Sequence, residues 1–452
     1  MPESLIQNMD HDEISKLLDG LAIDLEKKEK FGEVPTPTSL INDMLNRIPP
    51  SIWKDPNKKW LDPATGIGSF QLIVYERLMK GLESWEPIVE KRHDHIIRNM
   101  LFLCEINSSS VKQAKKYFGP NANIIKGDFL KHDFGSTTFD IILGNPPFNE
   151  GQNVDDISKR GSGNQIWIDF VEKSLTLLSN KGYLVFVHPA GWRKPTTESS
   201  RTDGLFKKIA HENQIEYLEI HNKADGVKLF GVQTRYDWYV LSNHKCNKKT
   251  VVKDESGILQ NIDLRRWTFL PNSDYSLIKQ LLAGPKDRKI NILYSRTQFG
   301  TDMSWTNETE TRKFQYPLIH STPVGEEPRF YWTSTKEPPI KGELVPMFGK
   351  NKAIFGEAGI NKNIVLDNTG KYGMTQGAMA IPFSTKKEGI RIKQALESDE
   401  FARIIEAMSF GNFRIDWRIF LFMKQDFYRY FGQKKQTKQN KLKKQNKTLK
   451  KL

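Results

Sequence analysis

Asn145, Pro146, Pro147 and Phe148 close the apolar run of IILGNPPFN, a grouping suited to holding an amino group while its nitrogen attacks an electrophile. An amino nitrogen conjugated to a purine is a poor nucleophile. Hydrogen bonds from its two N–H groups to fixed acceptors favour the pyramidal geometry that exposes a lone pair. The Asn145 side-chain oxygen supplies one acceptor and the Pro146 carbonyl the other. Two prolines fix φ and remove N–H groups, so the turn presents its carbonyls rigidly. Phe148 offers a flat face, and a base stacked on such a ring gains about 1 to 3 kcal/mol. The bland counterpart is a Pro-Pro turn that merely ends a buried strand.

A second grouping lies upstream. In LDPATGIGSF an apolar strand end leads to Asp62, then Ala64, then Gly66 and Gly68 around one residue, then a helix starting near Phe70. Glycines at such a turn let backbone and ligand approach closely beyond the carboxyl ends of an open parallel sheet. The spacing is not the pyrophosphate fingerprint, and Asp62 suits a ligand with a positive amine or a hydrated polar head. Alone, such a turn between strand and helix is more often structural. Acids recur, however, at the ends of the next predicted strands: Glu105 stands 43 residues past Asp62, and Asp128 a further 23. Glu105 can accept from both ribose hydroxyls of a nucleoside and Asp128 from an adenine amino group, with Ile106 and Phe129 as apolar walls for the ring. The Asn-Pro-Pro-Phe turn follows 17 residues after Asp128.

These residues need elements that end together. From Lys59 to Asn243, short apolar runs (WLDPATG, MLFLCEI, ANIIKGD, FDIILGN, GYLVFVHP, QIEYLEIH, DWYVLSN) alternate with helical segments such as SSSVKQAKKYF and IWIDFVEKSLTLL. That rhythm predicts strands crossing over through helices into a mostly parallel sheet covered on both faces. Residues 1–30, with Leu5, Ile14, Leu17, Leu18, Leu21 and Leu25 near helical spacing, predict a helical cap. After residue 246 the chain turns to scattered Pro, Gly, aromatic and basic residues. Strand-like KAIFGEA, NIVLDN and AMAIPF and one helix, KEGIRIKQALESDEFARIIEAM, mark a separate mixed domain ending near Gly432. A chain of 452 residues is long enough for two full cores.

On these motifs the sequence resembles the gamma class of N6-adenine DNA methyltransferases, found in Type II restriction-modification systems and in some large DNA viruses. The resemblance covers residues 31–245 well. Family members place a GxxxTP segment ahead of the glycine turn, and Gly32, Thr36 and Pro37 in FGEVPTPTSLINDML match it. The resemblance implies an α/β fold: a class I S-adenosylmethionine-dependent catalytic domain over 31–245, Rossmann-like with a mostly parallel seven-stranded sheet. A C-terminal mixed α+β target-recognition domain that binds DNA would follow over 246–432. It also implies that Thr36 and Pro37 line the methionine end of S-adenosyl-L-methionine, with Asp62, Ala64, Gly66, Gly68, Phe70, Glu105, Ile106, Asp128, Phe129 and Asn145 around the rest. The catalytic set is Asn145, Pro146, Pro147 and Phe148, joined by Phe230 in LFGVQTRYDWYVL as the second ring sandwiching a flipped adenine. Trp192 in HPAGWR is the other aromatic near a strand end, and a core role competes for Phe230. The segment SFGNFRIDWRIF resembles the close of such recognition domains. A sulfonium methyl is already activated, so no metal or strong base is called for.

Composition bounds the partners. With 38% apolar and 27% charged residues the chain reads as water-soluble, and no run approaches the roughly 18 apolar residues of a membrane span. The acidic N-terminal segment lacks the pattern of a signal peptide, so a cytoplasmic setting, in a bacterial cell or a virus-infected host, is expected. Cys104 and Cys246 have no metal or disulfide spacing, and His93 and His95, two apart, fall on different helix faces. Of the net charge of +14, nine lysines in the tail over 433–452 carry most, leaving +5 for the rest. The tail reads as a solvated end, with a phosphate-binding arm or a nuclear address as its alternatives. Double-stranded DNA is the expected partner, without membrane or metal. A separate cognate restriction endonuclease and a monomer or weak dimer stay open. In NEGQNVDDISKRGSGN, Lys159 and Arg160 suggest a loop closing over a flipped nucleotide, against an ordinary polar loop. Two other functions compete: amino-group methylation of RNA or protein glutamine, and nucleic-acid binding by an inactive methyltransferase fold.

Overall fold

A strand buried on both faces reads as a continuous apolar run, and each of the seven runs between Lys59 and Asn243 forms a strand in the computed structural model. The structure describes residues 4–9, 13–14, 16–17, 36–149, 165–196, 200–231, 233–358, 363–410 and 414–431. The Lys-rich tail, the loop with Lys159 and Arg160, Gly32 and most of the expected N-terminal cap lie outside them. Two compact units divide at Leu270 and Pro271.

In the first unit, α1 (Thr38–Leu45) precedes β1 (Trp60–Asp62), α2 (Ser69–Gly81), α3 (Val89–His95) and β2 (Leu101–Glu105). Next come α4 (Ser108–Phe118), β3 (Asn123–Lys126), β4 (Phe139–Gly144), α5 (Trp167–Leu177) and β5 (Leu178–Pro189). The run ends with α6 (Leu205–Ala210), β6 (Gln214–His221), α7 (Lys223–Phe230), β7 (Tyr236–Ser242), β8 (Thr250–Lys253) and β9 (Leu259–Ile262). The strand order is β3-β2-β1-β4-β5-β7-β6-β8-β9. Strands β1 to β5 are mutually parallel, and β7 runs antiparallel between β5 and β6. The sheet therefore has nine strands among the described residues, not seven. β7 sits inside it, and β8 and β9 extend its far edge, β8 parallel to β6 and β9 antiparallel to β8. Because β8 pairs with β6 and β9 with β8, the first unit runs on to Leu270, past the expected boundary at 245.

Core side chains from α1, α2, β1, β2 and α4 pack into one cluster that reaches Phe230, Tyr236 and Trp238. Ile6 and Ile14 join it from the N-terminal segment, where Leu5–Asn8 is a single 3-10 turn with Leu5 exposed. Ser4 anchors that turn by donating from Oγ to the Tyr117 carbonyl at 2.6 Å.

The second unit begins with α8 (Tyr275–Leu281) and, among the described residues, holds two small sheets. One combines β10 (Thr306–Asn307), β11 (Tyr316–Ser321), β12 (Arg329–Thr333) and β15 (Gly373–Met374); the other combines β13 (Lys352–Gly356), β14 (Val365–Asp367) and β16 (Ala378–Pro382). The single helix expected after β16 is two, α9 (Lys386–Leu396) and α10 (Asp399–Ala407). Ser398 breaks it: its backbone is extended, and its hydroxyl accepts the Phe401 N–H at 3.1 Å as an N-cap. No described helix is long and apolar enough to cross a membrane.

Candidate active site

Parallel pairing aligns the carboxyl ends of β1, β2, β3 and β4 at one edge, and the predicted acids collect there. After β1 the chain turns tightly: Asp62 Oδ1 accepts the Ala64 N–H at 3.1 Å, and Thr65 N–H reaches the Cys104 carbonyl at 3.0 Å. Gly66 and Gly68 have φ of 55° and 95°, which suits glycine. A side chain at Gly68 would also meet Phe118 at 3.0 Å, whereas a Cβ at Gly66 would face open space. The Gly66 N–H donates to Glu105 Oε2 at 2.7 Å, so the second acid fixes the loop of the first. The other Glu105 oxygen accepts the Asn107 N–H at 2.6 Å. Asp128 Oδ1 accepts the Leu130 N–H at 2.9 Å, one strand further along.

Burial dominates the electrostatics. Asp62 is 1% exposed, and loss of solvent pushes its carboxyl up to about 8; the Ala64 N–H opposes this and the nearby Glu105 charge adds to it. Burial raises Glu105 as well, against the N–H groups of Asn107, Gly66 and Ile106. It also pushes the Cys104 thiol up to about 12, which makes that cysteine a packed, unreactive one. A cationic ligand group at Asp62 would restore the carboxylate.

The Asn-Pro-Pro-Phe turn stands directly beside this loop. Gly144, the last residue of β4, has φ 148°, and a Cβ there would lie 3.0 Å from Asp62 Oδ1. Asn145 follows. Its Nδ2 donates to Thr36 Oγ1 at 3.1 Å, which ties the turn to the segment ahead of α1. Its Oδ1 is buried with no partner among the described residues. The reversed amide would bury two N–H donors with no acceptor at that position, a costlier arrangement. An acceptor thus waits at the end of β4. Pro146 is buried, Pro147 exposed and Phe148 half-buried. The Phe148 ring meets Phe230 edge to face, with centroids 6.1 Å apart and planes at 80°.

Thr36 is buried and Pro37, at the head of α1, is partly covered. Ala64 is half-buried, and Phe70 packs in the core beneath the glycine turn. Ile106 is 68% exposed, free to cover a ligand. Phe129 is 2% exposed and stacked on Phe170 of α5 at 5.1 Å. Of the two candidate second aromatics, Trp192 is fully buried, donates to Asp237 at 2.8 Å and stacks on Phe206. Phe230, at the end of α7, is the one that touches Phe148. His93 and His95 part company, bonding Tyr75 and the Pro56 carbonyl, each at 2.8 Å. No cluster of three or more potential metal ligands occurs among the described residues.

Gly144, Tyr236 and His221 escaped the sequence reading. The glycine immediately before Asn145 was a usable signal; the other two depend on strand register.

Residues 58–227 match the family model described as Eco57I restriction-modification methylase. The chain resembles restriction-modification adenine methyltransferases. An uncharacterized adenine-specific methylase of Mycoplasma pneumoniae is 24% identical over 52% of this chain and 74% of its own length. Among solved structures, the Type IIL restriction-modification enzyme MmeI in complex with DNA aligns over 92% of this chain and 67% of its own, with TM-score 0.51 and 13% identity. The ATP-dependent Type ISP restriction-modification enzyme LlaBIII bound to DNA aligns over 89% of this chain and 39% of its own, with TM-score 0.52 and 13% identity. At such identities the two structures speak for fold alone. The strand order, with one antiparallel strand between β5 and β6, is that of class I S-adenosylmethionine-dependent methyltransferases.

Proposed function

We propose that this chain is a site-specific DNA adenine-N6 methyltransferase that moves a methyl group from S-adenosyl-L-methionine to an adenine turned out of the duplex. The observation that carries the reading is the partnerless buried oxygen of Asn145, whose amide is tied to Thr36 and set beside the Asp62 turn. A buried acceptor without a donor costs stability and persists where a ligand completes it. Bound S-adenosylmethionine supplies an electrophilic methyl on a sulfonium centre. The open face at Gly66 gives backbone room for it, Glu105 and Asp128 offer acceptors for hydroxyl and amino groups, and Asp62 offers a carboxylate to its amine.

At the other end, Asn145 Oδ1 and the Pro146 carbonyl take the two amino hydrogens of adenine, concentrating the nitrogen lone pair toward the methyl. Phe148 and Phe230 provide the faces on which the extruded base stacks, which offsets the few kcal/mol lost on leaving the helix. Target recognition falls to the second unit, where Lys313, Lys336 and Lys371 lie over the rings of Phe314, Tyr316 and Tyr372. Such cation and ring pairs suit phosphate and base contacts.

The test is to incubate purified protein and labelled cofactor with plasmid DNA, RNA and a glutamine-bearing peptide, then digest each product and identify the methylated group. N6-methyladenine in DNA is expected. Asn145→Ala should lose at least about 100-fold in transfer while cofactor affinity stays within about threefold. Methyl groups found only on RNA or glutamine, or full activity in the variant, would overturn the reading.

A further inference from the structure

A purine held between two parallel rings needs them about 7 Å apart, twice the roughly 3.4 Å stacking distance. Phe148 and Phe230 are 6.1 Å apart and nearly perpendicular, so the slot is shut and one ring must turn to open it. The surroundings decide which. Phe148 sits half-buried on a turn. Phe230 is fully buried at the end of α7, a helix fastened at both ends. Asn222 and Asp225 form a reciprocal capping box at its start, and Gly231, at φ 68°, closes it by donating to the Val227 carbonyl at 3.0 Å.

Behind Phe230 stands Tyr236, 2% exposed, edge to face with it at 4.9 Å and 78°. On Tyr236 lies His221, its partner in the β6–β7 register, with rings 4.4 Å apart and only 7° from parallel. His221 is held on one side: Nδ1 hydrogen-bonds Asp225 Oδ2 of the capping box at 3.3 Å, while Nε2 lies 3.3 Å from Glu219 Oε1 without a hydrogen bond to it. Burial disfavours the Glu219 charge, yet contacts from His221, Lys253 and Tyr217 outweigh it and hold that carboxyl down to about 2. The stack thus rests on a fixed anion and returns to the helix that carries Phe230.

We propose that Tyr236, backed by His221, is the positioning residue that holds Phe230 as the fixed wall of the base slot, leaving Phe148 as the ring that swings. This inference rests on the proposed adenine methyltransferase function and names the part of that site that must not move.

The test uses the full chain and an oligonucleotide duplex carrying a site mapped by sequencing methylated plasmid, with the target adenine either paired or opposite an abasic position. Tyr236→Leu should lower kcat on the paired target about tenfold and on the unpaired target no more than about threefold, with unchanged cofactor affinity, because a weakened stack matters most where extrusion is costly. With 2-aminopurine at the target position, its fluorescence rise on binding should shrink in parallel. Tyr236→Phe, which keeps the ring, should restore both readouts to within about twofold. If Tyr236→Leu fails to fold, His221→Ala should give the same pattern at about threefold, since it removes only the backing ring. Equal losses on both duplexes, or Tyr236→Phe as impaired as Tyr236→Leu, overturn the inference while the parent function stands. A wild-type protein that binds cofactor and leaves DNA unmethylated removes the parent reading and this one together.

Discussion

At the glycine turn every acid is already engaged with backbone: Asp62 with Ala64, Glu105 with Gly66 and Asn107, Asp128 with Leu130. At the Asn145 turn, on the same edge of the same sheet, the key oxygen has no partner and the two rings that would take a base lean on each other. The first region is built before any ligand arrives, and the second is finished only by one. An acceptor for a cofactor can be kept occupied by N–H groups of its own loop, because a carboxylate has lone pairs to spare. The single amide oxygen of Asn145 has to be kept clear for an incoming N–H. The preformed end should therefore bind without rearrangement, while the other closes only around its substrate.

The sharpest way to break this comparison is to attack the one residue shared by both ends. Gly144 lets β4 pass Asp62 so closely that a Cβ would lie 3.0 Å from its carboxylate oxygen, with a φ that favours glycine. Gly144→Ala adds about 1 to 3 kcal/mol of strain and displaces either the carboxylate or the turn. Cofactor affinity should fall at least about tenfold and kcat/KM at least about 100-fold, with both read by calorimetry and methyl transfer on the same preparation. Loss of transfer with cofactor affinity intact would mean the two ends are independent, contrary to their contact.

A milder perturbation sharpens the cofactor end alone. With its carboxyl raised to about 8 in the free protein, Asp62 holds a proton that an unfolded chain, with the ordinary value near 3.8, would release. Between those values the folded state binds more protons, so stability falls as pH rises through that window. Cofactor binding works in the opposite direction, because a cationic amine needs the carboxylate. Affinity should then rise between about pH 5.5 and 7.5, approaching tenfold per unit, with about one proton released on binding. Calorimetry in buffers of different ionisation enthalpy measures that proton, and Asp62→Asn should flatten the slope. A pH-independent affinity in the wild type would show that Asp62 serves only to shape the turn.

The contrast also explains what could be read from the sequence. Short apolar runs between helical segments made all seven strands from Trp60 to Ser242 legible, and the three acids followed as residues at or just past the ends of β1, β2 and β3. Strands β8 and β9 were not, since TVVK and LQNI cover an edge with only part of their surface buried. Helix α7 was hidden by its eight-residue length and by Gly226, although Asn222, Asp225 and Gly231 spell out both its caps. The direction of the Phe129 ring and the stack of His221 on Tyr236 depend on packing and on antiparallel register, neither of which leaves a periodic trace.

The smallest expected effect isolates what keeps the Asn145 oxygen in place. Thr36 Oγ1 is the acceptor to which the Asn145 amide is tied, while the oxygen faces a position that offers no acceptor for an NH2. Thr36→Val keeps the shape and removes that acceptor, leaving a buried NH2 that gains by turning toward any other oxygen, at a cost of about 1 kcal/mol for the correct orientation. Transfer should fall about three- to tenfold with cofactor affinity changed less than about threefold, and Thr36→Ser should recover most of the loss. Single-turnover measurement of the methyl-transfer step is the right readout, since product release would mask a change of this size. A loss in Thr36→Ser with Thr36→Val unimpaired would place the role of Thr36 in its methyl group, and the orientation of Asn145 would then have to come from the prolines alone.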